Sequence, residues 1–387
     1  MKKGVFDDVV VAAPVSFGYE RFSTQPADWY FAQLLRELVR VAGIDKSEVD
    51  GVSASTFTLQ PNPVASLSRS LGLSPTWMEA VPFGGASGVM ALRRAARAVQ
   101  AGDASIVACM GADANPRNAF KDLVSAFSVA STDAVFPYGA GGPTMPFAHV
   151  TRQYMEATGT KREQFGRLCV AHRFNSASCE HALLRNPITL QDYLDAPRIV
   201  DPLHKLDLVM PCAGAEGLLV MREPRARELG VPYARIRSIV ERHNAFPDDY
   251  RILRGGWAQE RELLFAQASL DPADIDVIAV YDDCPVIAFM QLEGLGLCEA
   301  GGAGRFVQEH DLRFSGDVPV NTSGGQLGCG QAGAAGGFLG MVEVLRQVTG
   351  LAGARQVRDA RLGLASGYGM AVYDRCLGTA VAILEGA

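Results

Sequence analysis

The chain has 387 residues, 48% of them hydrophobic and 20% charged, which suits a globular enzyme of two or three domain-sized units or one large duplicated fold. Its net charge of -6 argues against broad electrostatic binding of nucleic acid, and no apolar run reaches the ~18 residues that a membrane span needs. The eight cysteines are scattered singly without a CxxC pair, so we expect a cytoplasmic protein with no metal site of its own.

Two stretches of the chain, residues 31–52 and 257–278, repeat one pattern. Each reads as a helix, a small cap and an acidic segment that leads into a buried strand, and Asp50 aligns with Asp276 at an offset of 226 positions. A match that holds over the whole stretch at one offset indicates an internal duplication.

The later parts of the two halves also correspond. In the first half, glycines within residues 84–88 precede a predicted helix over 89–101 and then an apolar strand. In the second half, residues 333–337 precede a predicted helix over 338–349 and another strand. Strands that alternate with helices predict an α/β fold with buried sheets.

The chain divides into two α/β halves and a helical insertion between them. The predicted division is residues 1–114 with 206–225 for the first half, 115–205 for the insertion and 226–387 for the second half. Within the insertion, helices are predicted over 145–158 and 162–177, and Asn-Pro and Ala-Pro pairs break the pattern after them. An insertion of this kind in a duplicated core often covers an active site.

Short motifs, in the right order, carry a resemblance that covers nearly the whole chain. Residues 201–203 with 212–215 resemble a "DPL…SDGA" segment, residues 292–298 a "YEALGLC" segment, and residues 321–325 the opening of an "N-x-x-GG-x(5)-H-P" motif. In these motifs the chain resembles the thiolase-like superfamily, and within it the sterol-carrier-protein type. The resemblance implies a thiolase fold, in which two duplicated α/β halves form a layered α-β-α-β-α core.

The chain departs from thiolases at four chemical positions. Gly85 stands where thiolases carry the nucleophilic cysteine, so no acyl-enzyme can form there. Gln331 replaces the "GHP" histidine, Tyr281 replaces the "HDCF" histidine, and residues 365–370 lack the "C-x-G" element. The pattern is similar to that of the side-chain-cleaving retro-aldolases of the superfamily, which lack the cysteine and carry Tyr in place of this histidine.

That resemblance implies the cleavage of a 3-hydroxyacyl-CoA into a carbonyl product and a shorter acyl-CoA. Coenzyme A would enter as part of the substrate, and no cofactor would be bound by the chain itself. The resemblance also implies a small zinc-ribbon/OB-fold partner of the DUF35 type and a homodimer. We expect the dimer surface around residues 80–112, with the apolar stretch 106–110 as a strand near it.

Two other functions remain open from the sequence. The chain can be a non-catalytic thiolase-like subunit that binds acyl-CoA or lipid. It can also be an acyltransferase of the acetyl-CoA acetyltransferase type whose nucleophile comes from a partner subunit. Turnover of 3-hydroxyacyl-CoA, with and without the partner, separates these functions from the lyase.

A retro-aldol cleavage needs a base for the β-hydroxyl proton, donors at the thioester oxygen and an acid for the enolate carbon. The predicted catalytic residues are Tyr281, Asp282, Asp283, Gln331 and Tyr368. Alternate side chains at a strand end face opposite ways, so one of the two aspartates is expected to face the site and the other the backbone. Their charges would favour the neutral form of the phenol. The alternative is that Tyr281 is a packed aromatic residue at a strand end and that Asp282 caps the next helix.

A second set of residues is predicted to bind substrate or stabilise an oxyanion. It comprises Gly85, Ala86, Ser87, Gly324, Gly325 and His243. Backbone N–H groups at the helix start after Gly85 can bind an anion, and the missing side chain of Gly85 is expected to leave room for a bulky substituent of the substrate. The alternative role of His243 is a partly buried structural histidine.

Overall fold

A computed structural model of the chain describes residues 5–59, 63–119, 136–139, 142, 144–249, 253–372 and 375–387. The strands within these ranges are β1 Val9–Glu20, β2 Gly51–Ser55, β3 Trp77–Ala80, β4 Ile106–Asp113, β5 Arg198–Val200, β6 Leu203–His204, β7 Ala213–Arg222, β8 Tyr233–His243, β9 Val277–Ala279, β10 Leu362–Ala371 and β11 Cys376–Gly386. The α-helices are Ala27–Ala42, Pro63–Leu71, Ser87–Ala101, Thr144–Thr158, Arg162–Ala177, Leu190–Leu194, Glu223–Leu229, Gly256–Ala268, Pro285–Gly294, Ala303–Glu309, Gly325–Cys329 and Gly336–Val348.

The strands show the duplication directly. One mixed sheet has the order β3-β2-β4-β7-β1-β8-β11-β10-β9. From β1 outward, the pairs β1–β7 and β7–β4 are antiparallel and the pair β4–β2 is parallel. From β8 outward, the pairs β8–β11 and β11–β10 are likewise antiparallel and the pair β10–β9 is parallel. In the second half, a parallel bridge between Ile278 and Val320 stands where β3 pairs with β2. The two halves are therefore two copies of one strand arrangement.

The repeated aspartates confirm the duplication at the level of single hydrogen bonds. Asp50 precedes β2, and its carboxylate accepts from the backbone N–H groups of Ser105 and Ile106 at the start of β4. Asp276 precedes β9, and its Oδ2 accepts from the N–H groups of Arg361 and Leu362 at the start of β10. Each copy therefore fixes the same strand register with the same carboxylate.

The core is layered, as the resemblance implies. The helices Ser87–Ala101 and Gly336–Val348 share one buried apolar cluster with residues from both halves of the sheet, so they form the central layer. The helices Ala27–Ala42 and Pro63–Leu71 cover the outer face of the first half. The helix Gly256–Ala268 and its neighbours cover the outer face of the second half. The α/β fold with duplicated halves is thus confirmed.

The insertion packs on the second half. Its helices span Thr144–Thr158 and Arg162–Ala177, within one residue of the prediction, and their apolar faces join the outer cluster of that half. The predicted boundary between residues 225 and 226 crosses the helix Glu223–Leu229, and the division into three parts otherwise stays a prediction. In the described residues, no helix is both long and apolar enough to span a membrane.

The strand that was predicted near a subunit interface is present. Residues 106–110 belong to β4, which is fully buried and hydrogen-bonded to β2 on one side and to β7 on the other. Its place near a dimer surface around residues 80–112 stays a prediction. The end strand of the first half is β3, Trp77–Ala80, whose residue Met78 is exposed.

Candidate active site

A cavity lies where the two halves meet. Residues of both halves and of the insertion line it: Phe57, Gly84, Gly85, Asp113, Ala114, Asn115, Phe147, Pro211, Cys212, Tyr281, Asp283, Gln331, Gly333, Tyr368, Met370 and Ala371. It brings together Gly85 and four of the five predicted catalytic residues. The missing member is Asp282.

Tyr281 is held at the end of β9 by an amide side chain. The Gln291 Oε1 accepts from the backbone N–H of Tyr281 at 3.0 Å, and the Gln291 Nε2 donates to its carbonyl at 2.6 Å. Gln291 is fully buried, so it replaces a neighbouring strand as the hydrogen-bond partner. The Tyr281 ring lies nearly parallel to that of Tyr368, which in turn stacks against Trp257. Hydrogen bonds to the Tyr281 backbone and the contact between the two tyrosine rings therefore fix the position of the phenol.

The Tyr281 ring occupies the space in which a side chain at position 85 would lie. A Cβ atom built on Gly85 would be 2.2 Å from Tyr281 Cε2 and 2.3 Å from the Tyr368 carbonyl oxygen. The expectation that Gly85 leaves room for a substituent of the substrate is therefore wrong, because the phenol fills that room.

Gln331 links the phenol to a carboxyl group. Its Nε2 donates to the Tyr281 hydroxyl oxygen at 3.2 Å and to Asp283 Oδ1 at 2.8 Å. The Gln331 backbone is fixed by bonds in both directions with residues 210 and 212, its N–H donating to the Met210 carbonyl and its carbonyl accepting from the Cys212 N–H. One amide thus orients both titratable groups at the cavity.

Burial raises the pKa of both groups, which leaves Tyr281 as a hydrogen-bond donor and Asp283 as a group that can exchange a proton. Burial, and next the charge of Asp283, raises the pKa of Tyr281 well above its ordinary value, so the phenol is neutral and can donate a hydrogen bond. Burial, and next the charge of Asp282, raises the pKa of Asp283 to about 7. Asp283 can therefore accept and release a proton near neutral pH, as a general acid–base group must.

Asp282 faces away from the cavity, contrary to the prediction that placed it among the catalytic residues. Its carboxylate accepts from the backbone N–H groups of Gln326 and Leu327 and lies 3.0 Å from His172 Nδ1. It therefore caps the short helix Gly325–Cys329. The alternation expected at a strand end holds, with Asp283 as the residue that faces the site.

The glycines of the "N-x-x-GG" motif serve the same cap. Gly324 and Gly325 have φ values of 100° and 60°, which favour glycine, and a Cβ on Gly325 would be 2.0 Å from Asp282 Oδ2. Neither lines the cavity. Their observed role is structural, since they let the backbone close on the carboxylate, and their role in substrate binding stays a prediction.

Three other predicted binding residues also lie outside the cavity lining. Ser87 is buried and its hydroxyl bonds to the Val81 carbonyl and to Ser55, so it secures the helix start. Ala86 packs in the central apolar layer. The ring of His243 is half-exposed beside Phe83, at a centroid distance of 4.9 Å, and matches the structural alternative.

Tyr368 lines the cavity in the place that the sequence predicted. Burial raises its pKa well above the ordinary value, so its hydroxyl is also neutral. Its ring lies between those of Tyr281 and Trp257 and faces Phe147 of the insertion at 6.4 Å. Its contacts are those of an aromatic wall that holds the Tyr281 ring in place.

Sequence analysis missed Asp113, a buried carboxylate at the end of β4. It accepts from Thr56 Oγ1, from Thr58 and from the backbone N–H of Ala334, and so ties the first half to the second beneath the cavity. Burial raises its pKa, while these hydrogen bonds oppose that rise. An acidic residue at the end of an apolar strand was the signal that could have identified it.

Known proteins with similar sequences place the chain in a family. Residues 242–384 match the thiolase C-terminal domain-like family. The chain is 31% identical over 329 residues to a steroid side-chain-cleaving aldolase of Thermomonospora curvata, which covers 80% of this chain and 82% of that protein. It is 28% identical over 338 residues to the 17-hydroxy-3-oxo-4-pregnene-20-carboxyl-CoA lyase of Mycobacterium tuberculosis, with 82% and 86% covered.

Solved structures give the same answer for the fold. The structure titled Ltp2-ChsH2(DUF35) aldolase superposes with a TM-score of 0.85 at 26% identity and covers 99% of both chains. The likeness therefore extends over both halves and the insertion. The chain belongs to the thiolase-like superfamily, in its sterol-carrier-protein-2-type aldolase group, and is a carbon–carbon lyase on a thiolase scaffold.

Proposed function

We propose that the chain cleaves a 3-hydroxyacyl-CoA by a retro-aldol reaction, with Asp283 as the group that carries the proton. The observation behind this proposal is the linked set of Asp283, Gln331 and Tyr281 at a cavity where the nucleophile position is filled by a tyrosine ring. A retro-aldol cleavage needs proton transfer and oxyanion stabilisation but no enzyme nucleophile.

In the first step the ionised Asp283 accepts the proton of the β-hydroxyl group. The β-carbon becomes a carbonyl carbon as the bond between the α- and β-carbons breaks, and its electron pair forms the enolate of the shorter acyl-CoA. In the second step the α-carbon of the enolate takes up the proton that Asp283 holds. The net change is the transfer of one proton from oxygen to carbon, for which a carboxyl group with a pKa of about 7 is well matched.

Tyr281 stabilises the charge that develops on the thioester oxygen. Gln331 donates to the phenol oxygen, so the phenol directs its own O–H toward another acceptor. The raised pKa keeps that proton on Tyr281 throughout. A neutral donor fixed before the reaction is the arrangement that lowers the energy of an oxyanion most effectively.

The cavity wall supports a substrate with a bulky apolar carbonyl part. Phe57, Phe147, Met370 and Ala371 line it beside Tyr368. Apolar walls with few polar groups bind through the hydrophobic surface that they cover. The names of the relatives, which refer to a steroid side chain and a pregnene carboxyl-CoA, support the same substrate class.

The proposed enzyme acts as a homodimer with a DUF35-type partner in the cytoplasm. The DUF35 protein named with the matching aldolase structure supports the partner, and the end strand Trp77–Ala80 is the part of the sheet that a second subunit can extend. Co-expression followed by light scattering tests both. A chain that remains a monomer, with or without the partner, contradicts the dimer.

Turnover of a panel of 3-hydroxyacyl-CoAs, with aliphatic and polycyclic carbonyl parts, tests the reaction. The wild type should release a carbonyl product and a shorter acyl-CoA, and Tyr281→Phe should lower kcat by about two to four powers of ten, the usual contribution of one positioned group. Tyr138→Phe is the matched control, since that tyrosine is 86% exposed.

Two results would contradict the proposal. Acyl-CoA binding without any turnover, with or without the partner, would identify a non-catalytic subunit. Equal turnover by the wild type and Tyr281→Phe would remove the phenol from the mechanism while leaving the fold unchanged.

A further inference from the structure

We propose that the chain holds a structural zinc ion between Cys179, His181 and Cys329. The ligand atoms of these three residues lie within 4.8 Å of one another, in a place separate from the cavity lining. Cys179 and Cys329 are 150 positions apart, which is why the scattered cysteines of the sequence indicated no metal site.

The spacing of the ligand atoms suits a tetrahedral ion. Cys179 Sγ is 3.4 Å from His181 Nε2. With bonds of about 2.3 Å to sulfur and about 2.0–2.1 Å to nitrogen, the sulfur–nitrogen edge of a tetrahedron around zinc is about 3.5 Å. Two thiolates and an imidazole favour zinc over magnesium or calcium, which prefer oxygen ligands.

A buried carboxylate provides a second, independent indication of a cation. Glu216 is fully buried, and its Oε1 lies 4.0 Å from His181 Nε2. Among the residues that the structure describes, His181 lies within 4.0 Å of it and Arg346 is a second cationic neighbour, while Ser16 and Tyr19 donate hydrogen bonds to its two oxygens. A carboxylate removed from water favours positive charge beside it. Glu216 lies outside the three-ligand cluster, and its charge favours a cation bound next to His181.

The burial of the donors is that of a closed structural site. Cys179 and Cys329 are fully buried among apolar neighbours, and the His181 side chain is 14% exposed, which leaves one path for the ion to enter. The three ligands lie outside the lining of the catalytic cavity, so the ion would stabilise the fold instead of taking part in the reaction.

The position of the site in the fold indicates which segments the ion would connect. Cys179 follows the insertion helix Arg162–Ala177, and Cys329 precedes Gln331 by two positions. The backbones already meet there, because the N–H groups of Leu183 and Leu184 donate to the carbonyls at 329 and 328. Zinc would fasten the end of the insertion to the loop that positions the catalytic amide.

The test is the zinc content of the full chain, expressed without a zinc-binding partner or a histidine tag in zinc-supplemented medium. The wild type should contain about one zinc per chain, and His181→Ala should contain at least about tenfold less, because it lacks a ligand. His181 is the least buried ligand, so this variant should fold. Cys298→Ser is the matched control, since that half-buried cysteine lies outside the cluster and should retain full zinc content.

Two further measurements make the outcome decisive. Cobalt reconstitution of the wild type should give the thiolate charge-transfer and intense visible bands of a tetrahedral site, and His181→Ala should lose them. A chelator should lower the Tm of the wild type but not that of the variant. Zinc bound equally by His181→Ala, or a zinc-free wild type with Cys179 and Cys329 in a disulfide, would overturn the proposal.

Discussion

Two buried carboxylates, one in each half of the molecule, line the same cavity but have different numbers of partners. Asp113 accepts from residues 56–58 and from the Ala334 N–H, whereas Gln331 is the described donor to Asp283. Burial raises the pKa of both, but hydrogen bonds oppose the rise for Asp113, while the neighbouring Asp282 adds to it for Asp283. A buried carboxylate with many donors holds structure together, whereas one with few donors can exchange a proton.

The two halves of the duplicated fold also have different roles at the cavity. The Asp50 and Asp276 clamps are equivalent, so both halves keep the same architecture. The residues that follow the equivalent strands are not equivalent. After β2 the chain turns to bind Asp113, and after β9 it presents Tyr281 and Asp283 to the cavity. The second half supplies Tyr281 and Asp283, and the first half supplies a wall together with the structural carboxylate of Asp113.

The largest expected effect belongs to Asp283. The substitution Asp283→Asn removes the only proton carrier of the proposed reaction but keeps a side chain that can contact Gln331. We expect kcat to fall by about two to four powers of ten, while the variant stays folded. Steady-state kinetics and circular dichroism measure the two quantities. Full activity of Asp283→Asn would show that Asp283, like Asp113, is not a proton carrier.

Asp113→Asn should mainly lower stability, in contrast to Asp283→Asn, which should mainly lower kcat. An amide cannot accept from all the donors that surround Asp113, so several buried N–H and O–H groups lose their acceptor. We expect the free energy of unfolding to fall by about 2–4 kcal/mol in chemical denaturation. Asp317→Asn, at an exposed aspartate, is the control and should change it little. A stable but inactive Asp113→Asn would instead make Asp113 a catalytic group.

Gly85→Cys tests whether the two halves are fitted to each other at the former nucleophile position. The new Cβ would collide with the Tyr281 ring and with the Tyr368 carbonyl, so the free energy of unfolding should fall by about 1–3 kcal/mol. Thiolase activity should not appear, because the activating histidines are also missing. Gly294→Ala is the matched control, with its nearest contacts at an ordinary 3.4 Å. A Gly85→Cys chain of wild-type stability would contradict the close fit.

The smallest expected effect is the pH dependence of the wild type. Asp283 acts as a base only when ionised, so kcat/KM should fall about tenfold per pH unit below a pKa near 7 and level off above it. The same raised pKa means that stability is lost as pH rises from the ordinary carboxyl pKa of about 4 to about 7, so Asp283→Asn should gain stability relative to the wild type across that window and keep a constant advantage above it. A flat rate profile between pH 5 and pH 8 would rule out Asp283 as the base.

Much of the scaffold could be predicted because its signals are local. Helical periodicity located Arg162–Ala177 to the residue, and the offset of 226 positions between Asp50 and Asp276 revealed the duplication. The motifs pointed to Gly85, Tyr281 and Gln331, which do meet at the cavity. These features depend on residue type and spacing along the chain, which a sequence displays directly.

The sequence by itself determined the duplicated α/β scaffold, the loss of the thiolase nucleophile and the residues that replace its histidines. Only the tertiary structure decided which aspartate faces the site, because the direction of a side chain at a strand end depends on what packs beside it. It also decided that the Tyr281 ring fills the space at Gly85, and that Cys179 meets Cys329. Each of these facts joins residues far apart in the chain, and no local pattern records such a contact.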